Sequence, residues 1–154
     1  MRESPFNCAQ MPEDRVTSFT TTRVLRFGDC DPSGIAYFPA YFNHLVGVVE
    51  EFFASVGAPW PELFARQRVG TPTVKLDVTF GAPGFHGDRL DWSVSVARVG
   101  RSSLTLEHRI ARDDTELWRA TQVLVATSLD NHRSIPWPDA VRNGLTRFQD
   151  SHRA

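Results

Sequence analysis

Between Phe38 and Val56 the residues Tyr41, Phe42, Leu45, Val49, Phe52, Phe53 and Val56 recur at three-and-four spacing, the mark of one long amphipathic helix. After Pro72 the period changes to two. Val74, Leu76, Val78 and Phe80 alternate with Lys75, Asp77 and Thr79, and Leu90, Trp92, Val94 and Val96 repeat the pattern. Further alternating runs cover Leu104 to Ile110 and Leu117 to Leu129. A helix with one apolar stripe and strands with one apolar face bury that surface only against each other. The arrangement they dictate is an α+β domain, an antiparallel β-sheet wrapped around a long central α-helix.

Punctuation along the chain supplies the remaining expectations. Residues 1–15 read as a flexible N-terminal arm and 16–150 as one domain, whose first strand passes through Val24, Leu25 and Phe27. Gly47 lies inside the helical stripe, where it costs about 1 kcal/mol against alanine, so a close approach to a neighbouring backbone is expected there. Gly57, Pro59 and Pro61 stop the helix, and a second short helix is expected over 62–67. The strands are expected to follow one another as antiparallel hairpins. A terminal helix over 139–148, entered through Pro136 and Pro138, is expected to cover a sheet edge.

Composition narrows the function class. The 154 residues are 41% hydrophobic and 11% aromatic, enough for one compact core. A net charge of -1 gives no general attraction to nucleic acid or to an anionic membrane. No apolar run reaches membrane-spanning length, and the acidic, proline-containing start is unlike a secretory signal. The two cysteines, Cys8 and Cys30, offer neither a metal-ligand spacing nor a disulfide framework, so a cytoplasmic setting is expected.

The chemistry is concentrated just before the long helix, in Gly28-Asp29-Cys30-Asp31-Pro32-Ser33-Gly34. Taken alone, Asp31-Pro32-Ser33-Gly34 is a turn: the acid caps it, proline presets one dihedral angle and glycine permits a positive φ. Its position adds a second reading. The first turn of a helix has N–H groups without intrahelical partners, and a thioester oxygen placed against one gains a hydrogen bond as negative charge develops. The Phe38 N–H is the donor to test, and Asp31 could approach the same carbonyl carbon as a nucleophile or as a base for water.

With this motif the chain resembles the 4-hydroxybenzoyl-CoA thioesterases, the hotdog-fold acyl-CoA thioesterases with an aspartate in the loop before the central helix. The likeness continues through Gly57, Gly70-Thr71-Pro72 and Arg101-Ser102, over roughly residues 18 to 138. The resemblance implies a hotdog fold, dimers and usually tetramers with sites between subunits, and hydrolysis of an acyl-CoA without a cofactor; separately, no His-Cys-Asp spacing suggests a metal. The resemblance places catalysis on Asp31 and the oxyanion donor on Phe38, leaving Asp29 a supporting or structural role. Tyr37, His44, Val46 and Thr71 are the expected acyl-pocket residues, and Arg98, Arg101 and Ser102 the expected CoA contacts. The hydroxybenzoyl-specific pattern has an acid where this chain has Val46. A substrate hydroxyl would need another partner here, so an aromatic acyl-CoA is the expected substrate in the broader sense. Short- or medium-chain aliphatic acyl-CoA, acyl binding without turnover, and hydratase chemistry are the alternatives.

Other residues compete with this assignment. Glu50 and Glu51 are rival carboxylates, since a related hotdog subgroup uses a helix glutamate, but both read equally as a solvated or subunit-facing surface. His86, His108 and His132 lie in scattered strand and loop contexts, and Ser33 has no local base. Arg98, Arg101, Arg109, Arg112 and Arg119 suit phosphate recognition by residue type and exposed strand faces by position. Trp60, Trp92, Trp118 and Trp137 read as packing groups.

Overall fold

A computed structural model of the chain describes residues 18–151. The expected arm at 1–15 lies outside them. Five strands form one antiparallel sheet in the order β1 (Phe19–Val24), β4 (Arg89–Val99), β5 (Ser103–Arg112), β6 (Thr115–Val125) and β3 (Thr73–Phe80). Val69–Gly70 (β2) and Thr127–Ser128 (β7) make a separate two-stranded ribbon. The long helix α1 spans Phe38–Ser55, followed by α2 (Trp60–Ala65) and the terminal α3 (Asp139–Asp150).

Helix α1 lies in the concave face of the sheet. It buries Tyr41, Leu45, Val48, Val49, Phe52 and Phe53, which meet Leu90, Trp92 and Val94 of β4, Leu104, Leu106 and Ile110 of β5, and Trp118 of β6 in one cluster. Each fully buried Phe or Leu in such a cluster contributes about 1.5–3 kcal/mol through removal from water. The opposite sheet face carries Asp91, Ser93, Glu107, Arg109 and Arg119, as expected of strands buried on one side. This is the hotdog arrangement.

Five expectations need correction. The first strand, β1, ends at Val24, and Phe27 belongs to a 3-10 turn beyond it. β3 does not pair with β4 as a hairpin; it crosses to the far edge and pairs with β6, from Thr73↔Leu124 to Phe80↔Trp118. The apolar run from Leu117 to Leu129 is broken at Ala126, whose N–H bonds Ser102 O at 2.7 Å, so its tail joins β2 instead of the large sheet. Helix α2 begins at Trp60 and includes Pro61, because a proline in the first turn removes only an N–H that has no intrahelical acceptor. Among the described residues a Cβ at Gly47 would meet only the tip of Arg23 at 3.5 Å, so none of their backbones makes the close approach expected there.

The terminal helix does cover an edge. β1 pairs with β4 only as far as Val94, and α3 lies along the unpaired remainder, with Gln149 Nε2 donating to Ala97 O at 2.9 Å and Arg142 to Gly100 O at 2.6 Å. Among the described residues no helix is long and apolar enough to cross a membrane.

Candidate active site

The acidic motif forms a closed loop at the N-terminal end of α1. Phe27–Asp29 make one 3-10 turn, and a bridge between Cys30 and Ala36 pinches the loop shut. Gly34 N–H bonds Asp31 O at 2.9 Å, with Gly34 at φ +79, so the turn uses the backbone region that glycine alone enters without strain. The loop rests on the β3–β4 connection through Ala36 N–H to Gly84 O at 2.9 Å and an Ile35↔Phe85 bridge. Arg112 anchors that connection, binding the Asp88 carboxylate and Pro83 O and stacking over Phe85 at 5.6 Å.

Asp31 is exposed, and its Oδ1 accepts both the N–H of Ser33, at 2.8 Å, and the Ser33 hydroxyl. The Ser33 hydroxyl and then its N–H hold the Asp31 carboxyl below the usual aspartate range. The Ile35 N–H adds a smaller lowering of the same kind. Asp31 lines an open cleft of about 490 Å³ with Phe27, Cys30, Pro32, Gly34 and His86. Burial, then the negative Asp29, Asp31 and Asp88, raises the Cys30 thiol pKa, so this sulfur stays protonated.

At the start of α1 the donors are nearly all used. Tyr37 N–H bonds Asp29 O at 3.1 Å, Pro39 has no N–H, and Ala40 N–H bonds Tyr37 O at 3.0 Å. Among the described residues the Phe38 N–H has no acceptor. The Phe38 ring is 61% exposed and meets Phe42 edge to face at 6.1 Å. With Val46, also exposed, these residues form an outward apolar stripe on α1. His44, two turns into the helix, has Nε2 3.3 Å from Asp29 Oδ2.

The residues expected at the site therefore separate into two groups within one chain. Asp31, Tyr37, Phe38, His44 and Val46 gather at the loop and the first turns of α1. Thr71, Arg98, Arg101 and Ser102 lie at the other end of the sheet, where Pro72 O accepts Val125 N–H and Ser102 O accepts Ala126 N–H. The 11 residues of β4 separate the two ends by about 33 Å.

The competing residues sort by their partners. Glu51 pairs with Arg23 at 2.8 Å, and it and Glu50 stand about 18 Å up the helix from Phe38. Arg109 and Arg119 both bind Glu116, each at 2.8 Å, and Arg112 belongs to the loop anchor. Arg98 and Arg101 are exposed and have no side-chain partner among the described residues. Trp92, Trp118 and Trp137 are buried packing groups.

Phe27 and His86 were not expected beside Asp31. Phe27 is 86% exposed and touches His86 edge to face at 6.3 Å. No spacing along the chain signals this meeting, because the Ile35↔Phe85 bridge creates it.

The thioesterase-like superfamily model matches residues 25–145. The chain is 31% identical over 123 residues to the 4-hydroxybenzoyl-CoA thioesterase of Pseudomonas sp. strain CBS-3, covering 75% of this chain and 87% of that protein. It is 24% identical over 124 residues to the 1,4-dihydroxy-2-naphthoyl-CoA hydrolase of Synechococcus elongatus, covering 80% and 91%. The solved structure of the Pseudomonas enzyme superposes with a TM-score of 0.77 at 26% identity, over 82% of this chain and 98% of the other. With its sheet closed around α1, the acidic loop at the head of that helix and a family match spanning both, the chain belongs to the thioesterase-like superfamily and is an enzyme of the thioester-hydrolase class.

Proposed function

We propose that this enzyme hydrolyses an aromatic acyl-CoA, of the benzoyl or hydroxybenzoyl kind, to the free acid and CoA. One observation carries the assignment of roles: an exposed, ionised Asp31 and a Phe38 N–H with no acceptor among the described residues belong to the same loop and helix start. The relatives named above act on hydroxybenzoyl and dihydroxynaphthoyl thioesters, both aromatic.

In this reading the thioester oxygen faces the Phe38 N–H, which holds the charge that forms as the carbonyl carbon becomes tetrahedral. Asp31 starts the attack, either by adding its own oxygen to that carbon or by taking a proton from a water that adds. The C–S bond breaks and CoA leaves as a thiolate that gains a proton. If Asp31 added directly, a water then cleaves the mixed anhydride, so both routes consume one water. The chemistry requires no cofactor.

The second group of residues enters through a second copy. β3 is an edge strand whose outward side has no partner among the described residues. Antiparallel pairing of β3 with its own copy lays Thr73 of one protomer towards Phe80 of the other, and the ring of Phe80 adjoins Tyr41 in the first turn of α1 at 6.2 Å. Thr71, Arg101 and Ser102 of one protomer then approach the acidic loop of its partner. We assign Tyr37, Val46 and Thr71 to the acyl side, and Arg101, Ser102 and Arg98 to the CoA phosphates, in a homo-oligomer.

Free-thiol release from benzoyl-, hydroxybenzoyl-, phenylacetyl- and aliphatic-CoA esters tests the proposal. The aromatic esters are expected to turn over fastest, and Asp31→Asn to lower kcat by a factor on the order of a hundred or more. Full turnover in Asp31→Asn, with loss in Glu50→Gln or Glu51→Gln, would move the catalytic role to the helix acids.

A further inference from the structure

Asp29 is the inward-facing acid of the loop. Its side chain is 21% exposed, its Oδ2 accepts the Arg26 N–H at 2.8 Å, and its main-chain oxygen accepts the Tyr37 N–H at 3.1 Å. It thus joins the 3-10 turn before it to the chain entering α1. The same Oδ2 lies 3.3 Å from His44 Nε2, on the second turn of that helix.

The His44 side chain is 18% exposed, its Nε2 is shut off from solvent, and that atom makes no hydrogen bond among the described residues. A ring nitrogen that has lost water is compensated by a carboxylate oxygen at this separation. Nothing in the hydrolysis itself requires a histidine there.

We propose that His44 is a positioning residue: its contact with Asp29 clamps the acidic loop to α1 and so sets where the Asp31 carboxylate stands relative to the Phe38 N–H. The inference rests on the roles proposed for those two groups. The lever is short. Only Cys30 separates Asp29 from Asp31, and its bridge to Ala36 leaves the loop little freedom to absorb a displacement. A shift at Asp29 therefore passes to the attacking carboxylate, and errors of about 1 Å in such placement cost about a hundredfold in rate.

The test is steady-state kinetics on the best ester of the panel, with thermal unfolding recorded for each variant. His44→Phe, which keeps the ring volume and loses the nitrogen, is expected to lower kcat about tenfold or more while KM stays within about twofold. His44→Gln, whose amide N–H can reach Asp29, is expected to recover most of the loss. In an Asp29→Asn background the further effect of His44→Phe is expected to disappear.

An unchanged kcat in His44→Phe overturns the inference, as does an equal loss in His44→Gln or a loss that persists undiminished beside Asp29→Asn. Should His44→Phe fail to fold, His44→Asn, too short to span the contact, takes its place with the same expected outcomes. Full turnover in Asp31→Asn would remove the catalytic reading and this inference together. Turnover lost in Asp31→Asn but kept in His44→Phe removes this inference alone.

Discussion

Trp92 donates its indole N–H to His108 Nδ1 at 3.2 Å in the core beneath α1. That bond fixes the ring tautomer: Nδ1 accepts, so Nε2 carries the proton and donates to Gln122 Oε1 at 2.9 Å, and Gln122 Nε2 donates to Thr73 Oγ1 at 2.8 Å. The chain of bonds crosses β4, β5, β6 and β3 on the helix-facing side. A polar run in this cluster ties its strands together in one register, because a slip would leave buried donors without acceptors.

Burial outweighs the Gln122 hydrogen bond and pushes the His108 pKa down to about 4. The unfolded chain, with an ordinary value near 6.5, therefore binds more protons than the folded one between these limits, and stability rises with pH across that window. The contribution is fully present above about pH 6.5 and is lost as pH falls towards 4, about 3 kcal/mol in all. Urea unfolding at intervals from pH 4 to 7 should show this slope, and His108→Gln should flatten it. An identical slope in both proteins would assign the acid sensitivity to other groups.

Ser33 provides a second pH prediction, in which the lowered pKa favours the charged form. Its hydroxyl and N–H lower the Asp31 pKa, so the carboxylate stays ionised further into acid than an ordinary aspartate. If ionised Asp31 starts the attack, Ser33→Ala removes the larger of these two effects and moves the acid limb of the kcat/KM profile to higher pH, with the rate on the neutral plateau little changed. An acid limb that does not move in Ser33→Ala would mean that another group controls it.

The helix and the strand faces were legible in the sequence because burial writes its period directly into residue order, as in Leu90, Trp92, Val94 and Val96. The position of β3 was not. Its alternation is the same whether it pairs with β4 or β6, and only the closing of the sheet around α1 decides. The site divides in the same way. Asp31 and Phe38 could be read because one short motif holds both, whereas Phe27 with His86, and Asp29 with His44, are meetings made by tertiary structure. Gly47 shows the converse: a residue that suggested a packing constraint and meets none among the described residues.

The free edge of β3 makes oligomeric state a testable consequence. Val74 and Phe80 are both more than half exposed, near opposite ends of the strand, so an antiparallel pair of β3 strands buries each against its partner. Sedimentation of the wild type should give a dimer or a multiple of one, and Val74→Glu with Phe80→Glu should shift the distribution towards monomer and lower kcat/KM with it. A monomer that retains full activity would show that one chain contains the whole site.

Gly144 separates scaffold from site. It lies where α3 crosses the end of α1, and a Cβ there would stand 2.3 Å from Val56 O, a backbone atom that cannot rotate away. Gly144→Ala must push α3 outward, also disturbing the bonds of Arg142 and Gln149 to the free margin of β4, and overpacking of this kind costs about 1–3 kcal/mol. The 18 residues of α1 place that junction about 27 Å from the acidic loop. The variant should therefore unfold at a lower urea concentration while kcat and KM, measured well below its melting temperature, stay at wild-type values. A fall in kcat without a change in the unfolding midpoint would mean that α3 communicates with the loop through α1.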